Sequence, residues 1–327
     1  MNKISSRRKY LDAFIVTDTK NIDKIDWLKN RQLGIGGSDA SAVAGLNPWK
    51  TSVQVYIEKK EEIPIETKSF RMELGNRLEG LVAELFTEET GLKVRNVNGM
   101  LKNEKYPFAI ADIDRAIVGE KAFLECKTTN SFSIKEWENG VPLHYEIQCL
   151  HYMAVTGATH CYIAALLGNE KFVWHKINRD NEVIKNLMKI ESEFWEENVL
   201  KDILPIPDGS DAYSEFLKTR YKNSVKEKIE LNLLEDGISK LKRYDDIVLQ
   251  MKELKGEKQL IEQEIQSEMR EFELATLGGR IITWKGATKR SIDTKRLREE
   301  MPDIAEKYTN ISSYRTFKNK IGGNIYG

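Results

Sequence analysis

The feature that most constrains the fold of this chain is a stretch of alternating apolar and charged residues around Gly119-Glu120. Residues 110–118 read Ile-Ala-Asp-Ile-Asp-Arg-Ala-Ile-Val, and residues 121–128 read Lys-Ala-Phe-Leu-Glu-Cys-Lys-Thr. Two short alternating runs separated by two turn residues are typical of an antiparallel β-hairpin. We therefore expect two adjacent strands here, with one apolar face and one charged face.

The turn also predicts which residues face each other. If Gly119-Glu120 is a two-residue turn, Asp114 lies opposite Glu125, and Asp112 lies opposite Lys127. All four of these side chains then share one face. By the same alternation, Arg115 is expected on the opposite face, where it would not block metal binding. That second face also carries the apolar residues Ile113, Ile117, Ala122, Leu124 and Cys126.

Two carboxylates on one hairpin face indicate a possible cation site. Residues directly opposite in a ladder have Cβ atoms about 4.5 to 5.5 Å apart, so Asp114 and Glu125 would repel each other unless a cation lay nearby. Mg²⁺ is held by one or two carboxylates plus water and phosphate, and a metal beside a lysine is suited to phosphodiester cleavage. Two alternatives stay open: chance spacing in a chain with 31% charged residues, and an ordinary ion pair between Asp112 and Lys127.

Length and composition fit a soluble protein. The chain has 327 residues, 40% of them hydrophobic, which is enough for one large core with an extension or for two domains. Its longest apolar run, 161–167, is far too short to span a bilayer, so we expect a cytoplasmic protein with no membrane contact. The three cysteines have no close-paired spacing, which argues against a disulfide framework or a zinc ribbon.

Charge and periodicity divide the chain into three predicted regions. Residues 1–204 are expected to form the main domain, residues 205–273 a charged helical or coiled-coil arm interrupted near Gly256, and residues 274–327 a small basic segment. The last region has 11 Lys and Arg against 5 Asp and Glu. Such a basic tail suggests polyanion contact, although a solvated basic surface explains it nearly as well.

A glycine-rich loop precedes a predicted short helix near the N-terminus. The loop contains Gly36 and Gly37, and Ser38 is expected to cap the helix that follows. Free backbone N–H groups at a helix start attract anions, and glycines let a phosphate approach closely. Arg31, in the preceding helix, is positioned to add a charged contact. Simple helix capping is the alternative interpretation.

Two further helices carry polar candidates beside apolar stripes. The first is expected over 74–90, with Glu79 at the edge of its stripe. The second is expected over about 143–155, where Gln148 and Tyr152 share a face. Glu79 is either an ordinary surface glutamate or a cleft carboxylate, and Gln148 is suited to orienting water or phosphate.

These motifs together resemble the YqaJ-type viral recombinases, which are relatives of phage lambda exonuclease. The resemblance runs in family order over about residues 20–180 and is highly specific in combination. It is carried by Trp27-Leu28-x-x-Arg31, Gly34-Ile35-Gly36-Gly37-Ser38-Asp39-Ala40, Leu46-Asn47-Pro48-Trp49-Lys50, Gly75-Asn76-Arg77-Leu78-Glu79, Asp114, Leu124-Glu125-Cys126-Lys127-Thr128 and Glu146-Ile147-Gln148-x-x-His151-Tyr152.

The resemblance implies an α/β (α+β) fold with a PD-(D/E)XK restriction-endonuclease-like core, in which helices flank a central mixed sheet, plus a helical C-terminal extension. It also implies a role for each matched residue. Asp114, Glu125 and the backbone carbonyl of Cys126 would ligate metal, and Lys127, Glu79 and Gln148 would support the attacking water. The 5′ phosphate of DNA would be held by Arg31, Ser38, Gly36 and Gly37. Trp27 could stack near the DNA end, but we expect it to be a core residue.

The activity implied is that of a 5′ to 3′ exonuclease using two Mg²⁺ ions, for which Mn²⁺ would substitute, on linear double-stranded DNA ends. Its 3′ single strands would pass to a RecT-type annealing protein, and the resemblance also implies a homo-oligomeric ring of three copies that would enclose the DNA. One departure is Arg115, where the family often has glycine after the metal aspartate. A structure-selective or site-specific endonuclease on the same fold, or a non-catalytic recombination scaffold, stays as an alternative.

Overall fold

The computed structural model describes residues 8–61, 70–231, 236–310 and 315–319. The chain forms two compact units, Met1–Arg220 and Tyr221–Gly327. All of the predicted site residues lie in the first unit. The domain boundaries predicted at residues 204 and 273 stay predictions.

The first unit contains two sheets and seven α-helices within the described residues. A 3₁₀ helix (Ser131–Trp137) and a π-helical turn (Phe194–Leu200) connect some of them. In chain order the elements are β1 (Lys9–Tyr10), β2 (Ala13–Asp18), α1 (Lys24–Gln32), α2 (Gly37–Val43), α3 (Ser52–Lys60), α4 (Phe70–Thr90), β3 (Val94–Arg95), β4 (Gly99–Asn103), β5 (Tyr106–Ala111), β6 (Arg115–Ile117), β7 (Ala122–Thr129), α5 (Leu143–Thr156), β8 (His160–Leu167), β9 (Lys171–Asn178), α6 (Asn181–Glu193) and α7 (Asp211–Arg220).

The five-stranded sheet is mixed and has the order β3-β6-β7-β8-β9. Its one parallel pair is β7 with β8, because α5 carries the chain back across the sheet between them. Strands β1-β2-β4-β5 form the second sheet, which is antiparallel throughout.

Helices cover both faces of the mixed sheet. On one face, Val82 and Phe86 of α4 are fully buried in a cluster with Leu124. On the other, Met153 of α5 is buried in the main core with Phe123, which alternates with Leu124 along β7. The predicted α/β core with a mixed sheet flanked by helices is confirmed.

The predicted hairpin register is also confirmed. Arg115 pairs with Leu124 and Ala116 pairs with Phe123, as a two-residue turn at Gly119-Glu120 requires. Gly119 has φ +87°, a left-handed conformation that glycine adopts without a Cβ clash.

The first half of the hairpin is not one continuous strand. Strand β5 ends at Ala111 in the antiparallel sheet, where it pairs with β4, and β6 begins at Arg115 in the mixed sheet. The chain bends between them because it changes sheets. Asp112 therefore does not lie opposite Lys127, and the predicted pairing of these two residues is wrong.

The predicted cap of α2 is also wrong. The helix begins at Gly37 with Gly36 as its N-cap. Asp39, at the third helical position, accepts a hydrogen bond from the Gly36 N–H at 3.1 Å. Its carboxylate therefore satisfies the backbone group at the start of the helix, leaving the Ser38 hydroxyl for another partner.

The second unit is built around one long helix, α8 (Gly237–Met269). It continues through Gly256, so the interruption predicted there is wrong; one glycine inside a helix costs only about 1 kcal/mol. Near the C-terminal end of this unit, two short helices meet at Met301-Pro302. The other described elements are β10 (Leu274–Leu277), β11 (Arg280–Thr283), α9 (Thr294–Glu300) and α10 (Pro302–Lys307). None of the helices in the described parts of the chain has the length and apolar character needed to cross a membrane.

Candidate functional site

The predicted site is centred on Glu125, which is 3% exposed in the middle of β7. Its Oε1 accepts hydrogen bonds from Lys127 Nζ at 2.7 Å and from Gln148 Nε2 at 2.5 Å. Its Oε2 is buried, and among the described residues it has no hydrogen-bond partner. A buried carboxylate oxygen without a partner is costly unless a further ligand satisfies it.

Asp114 lies at the bend just before β6 and approaches Glu125 across the hairpin. Its Oδ2 accepts a hydrogen bond from the Cys126 backbone N–H at 2.6 Å. Burial, followed by the charges of Glu125 and Glu79, raises the pKa of Asp114 well above its usual value, and burial likewise raises the pKa of Glu125. A bound cation would offset the repulsion between these carboxylates.

Lys127 is held as an ammonium ion. Burial by itself would lower its pKa, but the Glu125 and Asp114 carboxylates outweigh that effect and raise it. Lys127 Nζ also donates to Gln148 Oε1 at 3.1 Å, so the Gln148 amide contacts both Lys127 and Glu125. Gln148 in turn lies 3.4 Å from the Tyr152 hydroxyl on the next turn of α5. Three predicted site residues, Glu125, Lys127 and Gln148, are thus brought together by β7 and α5.

Glu79 reaches the same region from α4 and is paired with Arg115. One nitrogen of the Arg115 guanidinium, Nη1, donates to the Glu79 carboxylate and, at 2.7 Å, to the Asp114 carbonyl oxygen. The predicted alternation is right, since Arg115 pairs with Leu124 on the sheet face that α4 covers. Arg115 nevertheless lines the same cleft as the carboxylates, because it begins its strand and its side chain is long.

The predicted anion loop places Arg31 beside Ser38. Arg31 Nη2 donates to Ser38 Oγ and to Asp39 Oδ2, both at 3.0 Å. A Cβ added to Gly37 would lie 2.4 Å from a ring carbon of Tyr152. Glycine is therefore required at this position for α2 to pack directly on α5, beside Gln148.

Asp39 is the residue of this loop that the sequence analysis did not identify as part of the site. It is fully buried and accepts hydrogen bonds from Arg31, from Lys50 Nζ at 2.8 Å and from Lys59 Nζ at 2.7 Å. Burial alone would raise its pKa, but these three cations hold it well below the usual range. An acidic residue at the third position of a helix predicts the hydrogen bond from the Gly36 N–H to Asp39. Nothing in the local sequence predicts that Asp39 contacts Lys59.

A cleft of about 800 Å³ is lined both by residues around Glu125 and by residues of the Arg31 loop. Trp27 also lines it and is half-buried, so it is not a core residue as expected. Its Nε1 donates to Asp112 Oδ2 at 3.0 Å, which identifies Trp27 as the partner of Asp112. The predicted site residues that line the cleft are Arg31, Gly36, Gly37, Glu79, Asp114 and Glu125.

The donor set of this cleft fits a hard cation. Within the described residues, no three His, Cys, Asp or Glu side chains are grouped as ligands of one ion. Asp114 and Glu125 supply two carboxylates, one with an unsatisfied oxygen, and Mg²⁺ commonly completes such a set with water and phosphate. The residues that would hold the ion are therefore Asp114 and Glu125, while Glu79 is engaged by Arg115.

A buried ion pair between α5 and α6 contacts the end of β5. His151 Nε2 donates to the Ile110 carbonyl oxygen at 2.9 Å, and His151 Nδ1 lies 2.9 Å from Glu191 Oε1. Both side chains are fully buried. This pair ties α5 and α6 to the end of β5, directly before the bend that carries Asp112 and Asp114.

Comparison with known proteins identifies the family. The chain is 38% identical over 309 residues to the uncharacterized protein YqaJ of Bacillus subtilis (strain 168), a match that covers 93% of this chain and 97% of the relative. The chain belongs to the YqaJ family. Residues 26–159 match the YqaJ-like viral recombinase domain, and this range contains every predicted site residue.

Solved structures resemble about half of the chain. An alkaline exonuclease from Laribacter hongkongensis is 21% identical, with a TM-score of 0.45 over 54% of this chain and 93% of that chain. Its complex with dAMP gives a TM-score of 0.47 at the same identity and coverage. A phage-related exonuclease from Haemophilus somnus 129PT is 15% identical, with a TM-score of 0.40 over 54% of this chain and 99% of that chain.

Proposed function

We propose that this member of the YqaJ family is a Mg²⁺-dependent deoxyribonuclease that degrades linear double-stranded DNA from 5′ ends and leaves 3′ single strands. The observation that carries the proposal is the Glu125 carboxylate, with one oxygen held by Lys127 and Gln148 and the other buried without a partner, beside Asp114. A viral recombinase domain is consistent with DNA as the substrate.

The residues around Glu125 have separable roles in this proposal. Asp114 and Glu125 would hold Mg²⁺, with the Cys126 backbone carbonyl as a further ligand. A bound divalent ion lowers the pKa of water and neutralises charge that develops on the phosphodiester. Lys127 is an ammonium ion, so it orients water or phosphate and contributes positive charge instead of acting as a base. Gln148 fixes the orientation of Lys127 relative to Glu125.

The Arg31 loop explains a preference for DNA ends. Arg31 and Ser38 form one hydrogen-bonded unit at a cleft that Gly36 and Gly37 also line. A terminal 5′ phosphate held there would place the first phosphodiester near Asp114 and Glu125. The anion pocket thus supports an exonuclease over an endonuclease that ignores ends.

Assembly and partners extend the same proposal. A ring of three copies would enclose DNA and keep the enzyme on its substrate, and the 3′ strands would be passed to a RecT-type annealing protein in the bacterial cytoplasm. Mn²⁺ would substitute for Mg²⁺, because both accept oxygen ligands in octahedral geometry.

The decisive experiment is time-resolved digestion of linear duplex DNA labelled at either end, with and without a 5′ phosphate. We expect Mg²⁺-dependent loss of the 5′ label first, slower digestion without the phosphate, and no digestion of closed circles. Intact linear DNA under both Mg²⁺ and Mn²⁺ would contradict the nuclease proposal. Equal digestion of circles would favour the endonuclease.

Asp114→Asn tests the metal ligand. Loss of one carboxylate charge is expected to lower the digestion rate at least about a hundredfold. Asp208→Asn is the matched control, since Asp208 is exposed and its oxygen accepts from the Ser210 N–H, which asparagine can retain. Full activity of Asp114→Asn would remove Asp114 from the proposed site.

A further inference from the structure

Arg115 has hydrogen-bonding capacity that the described residues do not use. Its Nη1 makes both of its hydrogen bonds, to the Glu79 carboxylate and to the Asp114 carbonyl oxygen. Among the described residues, neither Nε nor Nη2 has an acceptor, which leaves three N–H donors. The Nε–H and one Nη2–H lie along one edge of the guanidinium, the arrangement that binds two phosphate oxygens at once.

The position of Arg115 makes a phosphate the fitting ligand. Its side chain is 17% exposed and lines the cleft beside Asp114 and Glu125. The acidic residues of the cleft outnumber the basic ones, so a phosphodiester entering it is repelled except where a cation is placed. The cleft is lined by the acidic residues Glu73, Glu79, Asp112, Asp114 and Glu125 and by the basic residues Lys24, Arg31 and Arg115.

Glu79 is a cleft carboxylate that pairs with Arg115. Glu79 lines the cleft with Asp114, and Arg115 Nη1 donates both to the Glu79 carboxylate and to the Asp114 carbonyl oxygen. A third carboxylate is therefore present at the edge of the cation site but engaged by a cation of the protein itself. A phosphate bound to the remaining donors would share the positive charge of Arg115, so the ion pair with Glu79 would weaken and Glu79 would be released toward the site.

We propose that Arg115 is a substrate-binding residue that takes a backbone phosphate of DNA and, in doing so, exchanges Glu79 for that phosphate. Free Glu79 then adds its charge to Asp114 and Glu125 around the metal. DNA entry and completion of the cation site are thereby coupled. This inference rests on the proposed function, because it takes DNA to be the polyanion in the cleft.

The first test measures the affinity for a 5′-phosphorylated linear duplex in EDTA over a series of salt concentrations. Each phosphate contact contributes about 0.9 to the slope of log affinity against log salt for duplex DNA. Arg115→Gln is expected to weaken binding about tenfold and to reduce that slope by about one contact. Arg115→Lys keeps the charge and is expected to restore the slope but not the full affinity.

Lys189→Gln is the control for this measurement. Lys189 is exposed and paired with Glu193 on α6, so its removal tests the loss of a surface charge. Urea unfolding of every variant checks that the fold is retained. A salt slope and an affinity unchanged in Arg115→Gln would overturn the phosphate contact.

The second test measures Mn²⁺ binding by electron paramagnetic resonance without DNA. Arg115→Gln is expected to bind Mn²⁺ several-fold more tightly than the unaltered chain, because Glu79 is released. Adding Glu79→Gln should cancel the gain, whereas Glu79→Gln alone should change little. Mn²⁺ affinity that is the same with and without Arg115 would overturn the exchange.

These readouts are independent of hydrolysis. If the unaltered protein binds DNA ends but does not cleave them, the proposed nuclease fails while the salt slope still decides the role of Arg115. If the unaltered protein cleaves DNA and Arg115→Gln keeps the full salt slope, the nuclease stands and the Arg115 inference fails.

Discussion

At the scale of single residues, Asp39 has the largest expected effect on the anion loop. Its buried carboxylate holds Arg31, Lys50 and Lys59 at 2.7 to 3.0 Å, so neutralising it leaves three cations close together without their common partner. Loss of one partner of a buried ion pair typically costs about 3 to 5 kcal/mol. Asp39→Asn is expected to lower the free energy of unfolding by a similar amount, measured by urea denaturation.

The same substitution should alter end recognition. Arg31 loses the acceptor that fixes its position beside Ser38, so the preference for 5′-phosphorylated over 5′-hydroxyl ends should fall. Asp18→Asn is the control, since Asp18 is paired with Arg8 but both side chains are more than half exposed. An unfolding curve for Asp39→Asn like that of Asp18→Asn would show that the buried cluster does not stabilise the loop.

At the scale of elements, the His151–Glu191 pair makes the attachment of α5 and α6 to β5 depend on pH. Burial by itself would lower the pKa of His151, but the Glu191 carboxylate and the Ile110 carbonyl raise it above its ordinary value; burial raises the pKa of Glu191. Both shifts favour keeping the proton between the two side chains. The protonated His151–Glu191 pair stabilises the fold below about pH 6.5. This stabilisation is lost as the pH rises through the raised pKa of His151.

We therefore expect the free energy of unfolding to fall as the pH rises above about 6.5, the ordinary pKa of histidine, measured by urea denaturation in a pH series. His151→Gln should remove this slope. His144→Gln is the matched control, because burial lowers the pKa of His144 and its effect on stability lies at lower pH. A slope that persisted in His151→Gln would assign the pH dependence to other groups.

Local sequence predicts some of these elements well and others not at all. The Gly119-Glu120 turn and the alternation around it determine the pairing of Arg115 with Leu124, since both signals act over a few residues. Glu79 and Arg115 are 36 residues apart, and His151 and Glu191 are 40 apart. No periodicity reports such contacts, because they depend on how separate elements pack. Local sequence does not predict the bend at Asp112 either, because β5 and β6 belong to different sheets.

At the scale of the whole molecule, the start of the second compact unit is the expected site of proteolysis. Residues 222–231 are exposed and contain no helix or strand. Trypsin should cut first at Lys222, Lys226 or Lys228 and release a fragment corresponding to Met1–Arg220 with a short tail, identified by mass spectrometry. Exposed lysines within helices, such as Lys189 and Lys258, are the internal comparison and should be cut later. Early cleavage within α8 or α6 would contradict this division.

The parallel pairing of β7 and β8 also has a consequence for biosynthesis. Ala122 pairs with His160, 38 residues further along the chain, and Gln148 lies on the helix between them. A nascent chain that has emerged only to Thr129 has Asp114, Glu125 and Lys127 but lacks the neighbouring strand and the amide that orient them. Translation products that terminate before Leu167 are therefore expected to be inert toward DNA, so the cell is not exposed to a half-made form of the proposed nuclease.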